Sequence, residues 1–270
     1  KDRLTQVDGS LTSEEERGKL REELHKHIAK LKDEMPGRSQ GMWDLEFNRA
    51  WSMLQLWYRD DSEMLSKGMV QKYAELQFGY GNKPPVELML DSGETIRFRG
   101  QIDRIDVSDD GTRVRVYDYK SGSSKSYESL DTDPVNKGQM IQLPLYSEAA
   151  RRLYPDAEIS AAYWFVKELD KTGRFLPPTD KYDETKAHNR LKSVVKVIAD
   201  GVRSGTFPAD PGERDWLPGV GATYTNCGYC DFKKICPENK KSLWSKKKYS
   251  NPALSDYVAL TENEVDYKDG

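Results

Sequence analysis

The sequence predicts an α/β domain in which a mixed central sheet is covered by helices. Three observations predict it. Apolar residues recur at helical spacing over the first sixty-odd residues. The period then changes to two across several short segments punctuated by glycine turns. After those strands the pattern reads helix, apolar strand, helix, an order that places helices on a sheet.

Residues 12–34 read as an amphipathic helix, with Leu20, Leu24, Ile28 and Leu31 on one stripe and Ser13/Glu16 or Thr12/Glu15 as a capping box. Pro36-Gly37 ends it. A second helix is expected over 43–66, where Trp43, Phe47, Trp51, Leu54 and Tyr58 share a face, an aromatic stripe that reads as core packing. Segments 70–78, 86–91, 95–106 and 113–120 read as strands of an antiparallel meander. Their turns are Gly79-Tyr80-Gly81-Asn82, Asp91-Ser92-Gly93 and Asp109-Asp110-Gly111. Residues 121–137 read as a loop and 138–153 as a helix weakened by Pro144. EISAAYWFVK (158–167) is an apolar strand, and 184–204 a helix on Leu191, Val194, Val195, Ile198 and Val202. The Pro/Gly-rich PADPGERDWLPGVG then reads as a linker. The expected organisation is a helical lead-in (1–69), a core (70–205), a segment of linker, cysteine cluster and basic tail (206–250), and a C-terminal tail (251–270).

The chain has 270 residues, of which 32% are charged, and its mean hydropathy is −0.83. No apolar run approaches the roughly 20 residues a membrane span needs. The opening KDRLTQVDGS carries no apolar signal segment, so cytoplasmic residence is the expectation, and the absence of an initiator Met suggests a fragment. Lysines and arginines number 42 against 45 acids, a net charge of −3, so no global charge draws the chain to nucleic acid. Lysines are locally dense, however, at 233, 234, 240, 241, 246, 247 and 248. Such a run is a solvated face or a phosphate contact.

The chemistry concentrates between Gly100 and Gly122. On RVRVYDYK, Val114, Val116, Asp118 and Lys120 share parity and therefore one face. The valines mark that face as buried, so the acid and the amine at its end must be paired or hold a cation. Asp103, on the preceding strand, is placed to meet Asp118. Two converging carboxylates repel, and hard oxygen donors select Mg²⁺ or Mn²⁺. A lysine beside them suits orientation of a water or stabilisation of charge on a phosphate, hence phosphodiester hydrolysis. The bland alternative is a surface hairpin with a salt bridge.

GQIDRID, VYDYKSG and GQMIQLPLY, in that order, resemble the RecB-family nuclease domain of the PD-(D/E)xK superfamily. The resemblance implies a restriction-endonuclease-like core with Asp103 and Asp118 as metal ligands, Lys120 as the catalytic lysine, and Gln142 and Tyr146 as the helix motif. It implies a metal-dependent DNA nuclease, an exonuclease acting on single strands, partnered with the helicase of an AddAB/RecBCD-like complex in double-strand break repair. The alternatives are an inactive DNA- or partner-binding module and a stand-alone CRISPR-adaptation-type nuclease. Arg104 and Asp106 fit the same pattern as a structural pair bracing the strand. Glu75, in YAELQFG, resembles an acid that precedes the core in helicase-nuclease subunits, and its expected role is a further acid near the site or strand support.

TNCGYCDFKKICP spaces Cys227, Cys230 and Cys236 as C-x2-C-x5-C. Three cysteines within ten residues suit one metal or cluster rather than a disulfide framework. The spacing resembles the C-terminal part of the iron–sulfur clasp of AddB-type nucleases. That likeness implies a 4Fe-4S cluster with its fourth cysteine upstream of this chain, zinc being the alternative. His188 is a possible zinc ligand without supporting spacing. The resemblance also implies a G-x-x-x-H segment that is missing here, so the chain is expected to be the C-terminal portion of a longer protein.

Overall fold

The structure is a computed structural model that describes residues 14–166, 175–178, 180–217 and 219–262. It divides into two compact units, residues 1–191 and 192–270.

In the first unit, α1 (Glu14–Glu34) lies against α2 (Gln40–Ser66). Ser39 caps α2, its Oγ accepting from the Met42 N–H. The capping box expected for α1 falls outside the described residues. The aromatic stripe of α2 only partly reaches the core. Trp43 is buried, but Phe47 stacks on His25 and Arg21 lies over Phe47 and Trp51. The deep residues of α2 are Trp57, Asp60 and Met64 as well as Trp43. α1 buries no residue completely.

The main sheet has the order β1-β4-β5-β6-β7, from β1 (Met69–Phe78), β4 (Gly100–Ser108), β5 (Arg113–Lys120), β6 (Glu158–Phe165) and β7 (Phe175–Leu176). β1, β4 and β5 pair antiparallel, and β5 and β6 run parallel. The four strands expected as one antiparallel meander do not form one. β2 (Val86–Met89) and β3 (Thr95–Phe98) form their own hairpin, so β1 pairs with β4 across that excursion. The run 95–106 is therefore two strands, interrupted at Arg99. Close packing at the junction leaves room only for glycine. A Cβ at Gly100 would stand 2.7 Å from Phe78 Cζ, and Gly79, at φ +73°, would place one 2.6 Å from Arg99 Cβ.

Parallel neighbours need a crossover, supplied by α3 (Gln142–Leu153). Pro144 does not weaken this helix. It occupies the first turn, where N–H groups have no intrahelical partner. The segment expected as a plain loop before α3 holds two 3-10 turns, Ser124–Asp131 and Asn136–Gly138.

Strand alternation sorts the sheet residues by face. Ile105, Val114, Val116 and Ala161 lie on the face that α3 contacts and are buried almost completely. Tyr117, Ala162 and Trp164 point the other way and pack with Trp57 of α2. Full burial of each large apolar chain contributes about 1.5–3 kcal/mol, so one sheet is pinned between helices of both faces.

α4 (Glu184–Ser204) follows and enters the second unit. There the supposed linker contains a strand pair, β8 (Arg214–Leu217) with β9 (Gly221–Tyr224). The lysine-rich segment forms α5 (Lys240–Lys247), and α6 (Ser255–Glu262) follows. Trp244, Leu254 and Val258 make this unit's own apolar cluster. No helix among the described residues is long and apolar enough to cross a membrane.

Candidate active site

The β4–β5 ladder pairs Arg104 with Tyr117 and Ile105 with Val116. Continuing that register sets Asp103 opposite Asp118. In place of a ladder bond, Asp103 Oδ2 accepts from the Tyr119 main-chain N–H at 2.8 Å. The first acid is thus fixed by the backbone of the strand that carries the second.

Asp118 is only 4% exposed. Burial raises its carboxyl pKa above the ordinary value; the Lys120 ammonium opposes this rise and Asp103 adds to it. Lys120 Nζ lies 2.6 Å from Asp118 Oδ2. That contact is an ion pair of poor angle, because the same buried oxygen has no well-aligned hydrogen-bond donor. Gln142, at the start of α3, ties the two together. Its Nε2 donates to Asp118 Oδ1 at 3.1 Å, and its Oε1 accepts from Lys120 Nζ at 3.0 Å. The Lys120 ammonium also lies 4.8 Å from the centroid of the Tyr163 ring.

Tyr146 sits one helical turn after Gln142. It is buried, meets Phe78 edge-on, and its hydroxyl is pushed up to about 12 by burial first and by Asp118 next. At neutral pH it is a phenol, able to donate. All five residues expected from the sequence therefore belong to one electrostatically connected cluster.

A divalent cation suits this donor set. Two hard carboxylates come from adjacent strands, they influence each other's charge, and one buried carboxylate oxygen lacks a directional donor. Glu75 does not complete a three-carboxylate set, since no group of three or more His, Cys, Asp or Glu is placed to hold a metal among the described residues. Glu75 has φ +53°, and its carboxylate instead accepts a hydrogen bond from Gln101 Nε2.

Behind the acids lies a buried ionic cluster. Arg104 Nε donates to Asp106 at 2.6 Å, and an Arg104 terminal nitrogen reaches Asp61 of α2 at 2.5 Å. The guanidinium lies between 5.2 and 6.0 Å from the ring centroids of Trp57, Tyr117 and Trp164. Burial works against its charge, but Asp106 and Asp61 outweigh burial and hold Arg104 charged. Trp57 Nε1 donates to the Tyr119 hydroxyl at 2.9 Å, a second tie between α2 and β5. The Arg104–Asp106 pair was legible in the sequence. Asp61 was not, because one acid on a charged helix carries no signal. Tyr163 was signalled only as a polar ring in the buried row Ile159, Ala161, Tyr163.

The cysteines fit a metal less well. Cys227, Cys230 and Cys236 are half-buried and form no disulfide. Among the described residues they do not gather as a three-ligand set. His188 Nδ1 is 2.5 Å from Glu148, a pairing of its own. Within the lysine-rich segment, Lys241 binds Glu213 at 2.6 Å and Lys248 pairs with Glu262, so those two serve the unit itself.

The family described as the PD-(D/E)XK nuclease superfamily matches residues 3–237. An ATP-dependent helicase/deoxyribonuclease subunit of Ruminiclostridium cellulolyticum is 45% identical over 260 residues, covering 72% of this chain and 22% of that protein. Its counterpart in Acetivibrio thermocellus is 45% identical over 222 residues, covering 60% of this chain and 19% of that protein. That of Clostridium tetani is 38% identical over 116 residues, covering 42% of this chain and 9% of that protein. The chain thus spans less than a quarter of the length of these relatives. The match over most of its length, on a mixed sheet carrying the Asp103–Asp118–Lys120 cluster, means that this chain belongs to the PD-(D/E)XK nuclease superfamily.

Proposed function

We propose that this chain is the nuclease module of an AddB-type helicase-nuclease, a Mg²⁺- or Mn²⁺-dependent deoxyribonuclease working in double-strand break repair in the cytoplasm. The observation that carries it is the joining of Asp118, Lys120 and Gln142 by direct polar contacts, with Asp103 held to the same strand. Asp103 and Asp118 would hold the divalent ion, which when bound polarises the phosphate and lowers the pKa of a bound water. Lys120 presents its ammonium where negative charge develops on the phosphate. Gln142 fixes Lys120 relative to Asp118, so the amine arrives oriented. Tyr146, held as a phenol, supplies a hydrogen-bond donor beside the acids.

The substrate follows from the module's proposed setting: single-stranded DNA delivered by a helicase partner and trimmed exonucleolytically. Lysines of the 233–248 segment are proposed to contact its phosphates. Cys227, Cys230 and Cys236 are proposed as ligands of a 4Fe-4S cluster, or of zinc, on the strength of their C-x2-C-x5-C spacing, and binding would have to draw the three thiols together. Iron and zinc analysis of the purified protein tests this ligation, and a metal content unchanged by Cys230→Ala would overturn it.

The experiment is cleavage of end-labelled single-stranded DNA with Mg²⁺ or Mn²⁺, comparing the parent with Asp118→Ala and Lys120→Ala. Both variants should lose at least about a hundredfold in rate. Parent-like cleavage by both ends the proposal. DNA binding by the parent without metal-dependent cleavage would instead establish the binding-module alternative.

A further inference from the structure

We propose that Tyr163 is a positioning residue of the active site: its ring face holds the Lys120 ammonium in register with Asp118. The inference rests on the proposed role of Lys120 and extends it to a residue outside the expected motif.

The geometry begins with the β5–β6 ladder, which pairs Asp118 with Tyr163 and Lys120 with Phe165. Lys120 does not place its amine over its own partner. The ammonium lies 4.8 Å from the Tyr163 ring centroid, two residues back along the strand. The side chain therefore leans toward Asp118, and the ring is the surface it leans upon. Tyr163 is 1% exposed, so its face is dry, and a dry ring attracts a cation more strongly than a wet one. The ring is itself braced. Tyr127, from the turn at Ser124–Asp131, meets Tyr163 edge-on at 4.9 Å and Phe165 at 5.1 Å.

The other two contacts of Lys120 are shared. Asp118 is one of the two acids proposed as cation ligands. Gln142 divides its amide between Lys120 and Asp118. The Tyr163 ring has no competing use as a ligand. It is the contact that persists whatever Asp118 is doing, and it limits where a flexible four-carbon amine can swing. A buried aromatic ring in this row could serve packing alone, so the test must separate ring electrons from ring volume.

Phenylalanine and its 4-fluoro, 3,5-difluoro and 3,4,5-trifluoro analogues are installed at position 163 of the full chain. Fluorine changes ring volume little and drains the electron density that a cation feels. Tyr163→Phe should cleave within about twofold of the parent. Rate should then fall stepwise with fluorination, to roughly a tenth for the trifluoro ring, with KM for DNA within about twofold. A second readout needs no turnover. Fluorination should lower the melting midpoint by about 2–4 °C when Lys120 is present and leave it unmoved in a Lys120→Met background. A flat series in both readouts, with Lys120→Ala inactive, overturns the Tyr163 assignment alone. Full cleavage by Lys120→Ala overturns the site reading and the Tyr163 assignment with it.

Discussion

Asp103 Oδ2 accepts a 2.8 Å hydrogen bond from the Tyr119 main-chain N–H. The bond spans from β4 to β5, and Tyr119 is the residue between Asp118 and Lys120. Separation of the two acids is therefore set by sheet geometry rather than by a flexible side chain.

That relationship predicts the behaviour of Asp103→Asn. The amide oxygen still accepts from Tyr119, so the melting midpoint should stay within about 2 °C of the parent. Loss of the charge should reduce metal-dependent cleavage about a hundredfold or more. Calorimetry and a cleavage assay on one preparation check both halves. A parent-like rate would exclude Asp103 as a ligand.

Gln142 is predicted to act on rate rather than on stability. Gln142→Ala removes the bridge between Asp118 and Lys120 while leaving α3 a good helix former. Cleavage should fall roughly tenfold, with the midpoint shifted by less than about 3 °C. An unfolded variant or an unchanged rate would both contradict this.

Arg104 should show the reverse pattern in magnitude. Arg104→Met leaves Asp106, fully buried, and Asp61 without their shared cation. Breaking a buried pair on one side costs about 3–5 kcal/mol, which should lower the midpoint by roughly 10 °C for a chain this long. Thermal melting checks it, and a shift under about 3 °C would mean that the ionic cluster is dispensable.

Asp110 predicts a pH dependence of stability. It closes the β4–β5 turn by accepting from Ser108 Oγ, Thr112 N and Thr112 Oγ1. Those bonds, that from Ser108 first, lower its carboxyl from 3.8 to about 2. A depressed carboxyl stabilises the fold above its unfolded value and loses that contribution as pH falls through the folded one. Asp110→Ala should therefore melt below the parent at about pH 7. The gap should narrow as pH drops from near 4 toward 2. A gap that is constant with pH would assign the effect to turn propensity instead of charge.

Much of the site was legible because strand alternation is local. The parity of Val114, Val116, Asp118 and Lys120 puts an acid and an amine at the end of a buried row, and the order of the three short motifs added Asp103, Gln142 and Tyr146. The β2–β3 excursion was not legible. Residues 95–106 read as one strand, and only the change of partner, β3 on β2 and β4 on β1, divides it at Arg99. The linker over 208–221 hid the β8–β9 pair because its Pro and Gly content masks two four-residue strands.

The linear pattern determined the main helices and the buried strands of the first unit, which face the residues of those strands occupy, and which side chains carry chemistry. Only the tertiary structure decided who meets whom: Lys120 leaning onto Tyr163, Gln142 inserted between Asp118 and Lys120, and Asp61 of α2 closing on Arg104. The reason is physical. Periodicity is dictated by the backbone over a few residues, whereas these partners lie 22 to 43 positions apart and are selected by burial, which no local stretch of sequence encodes.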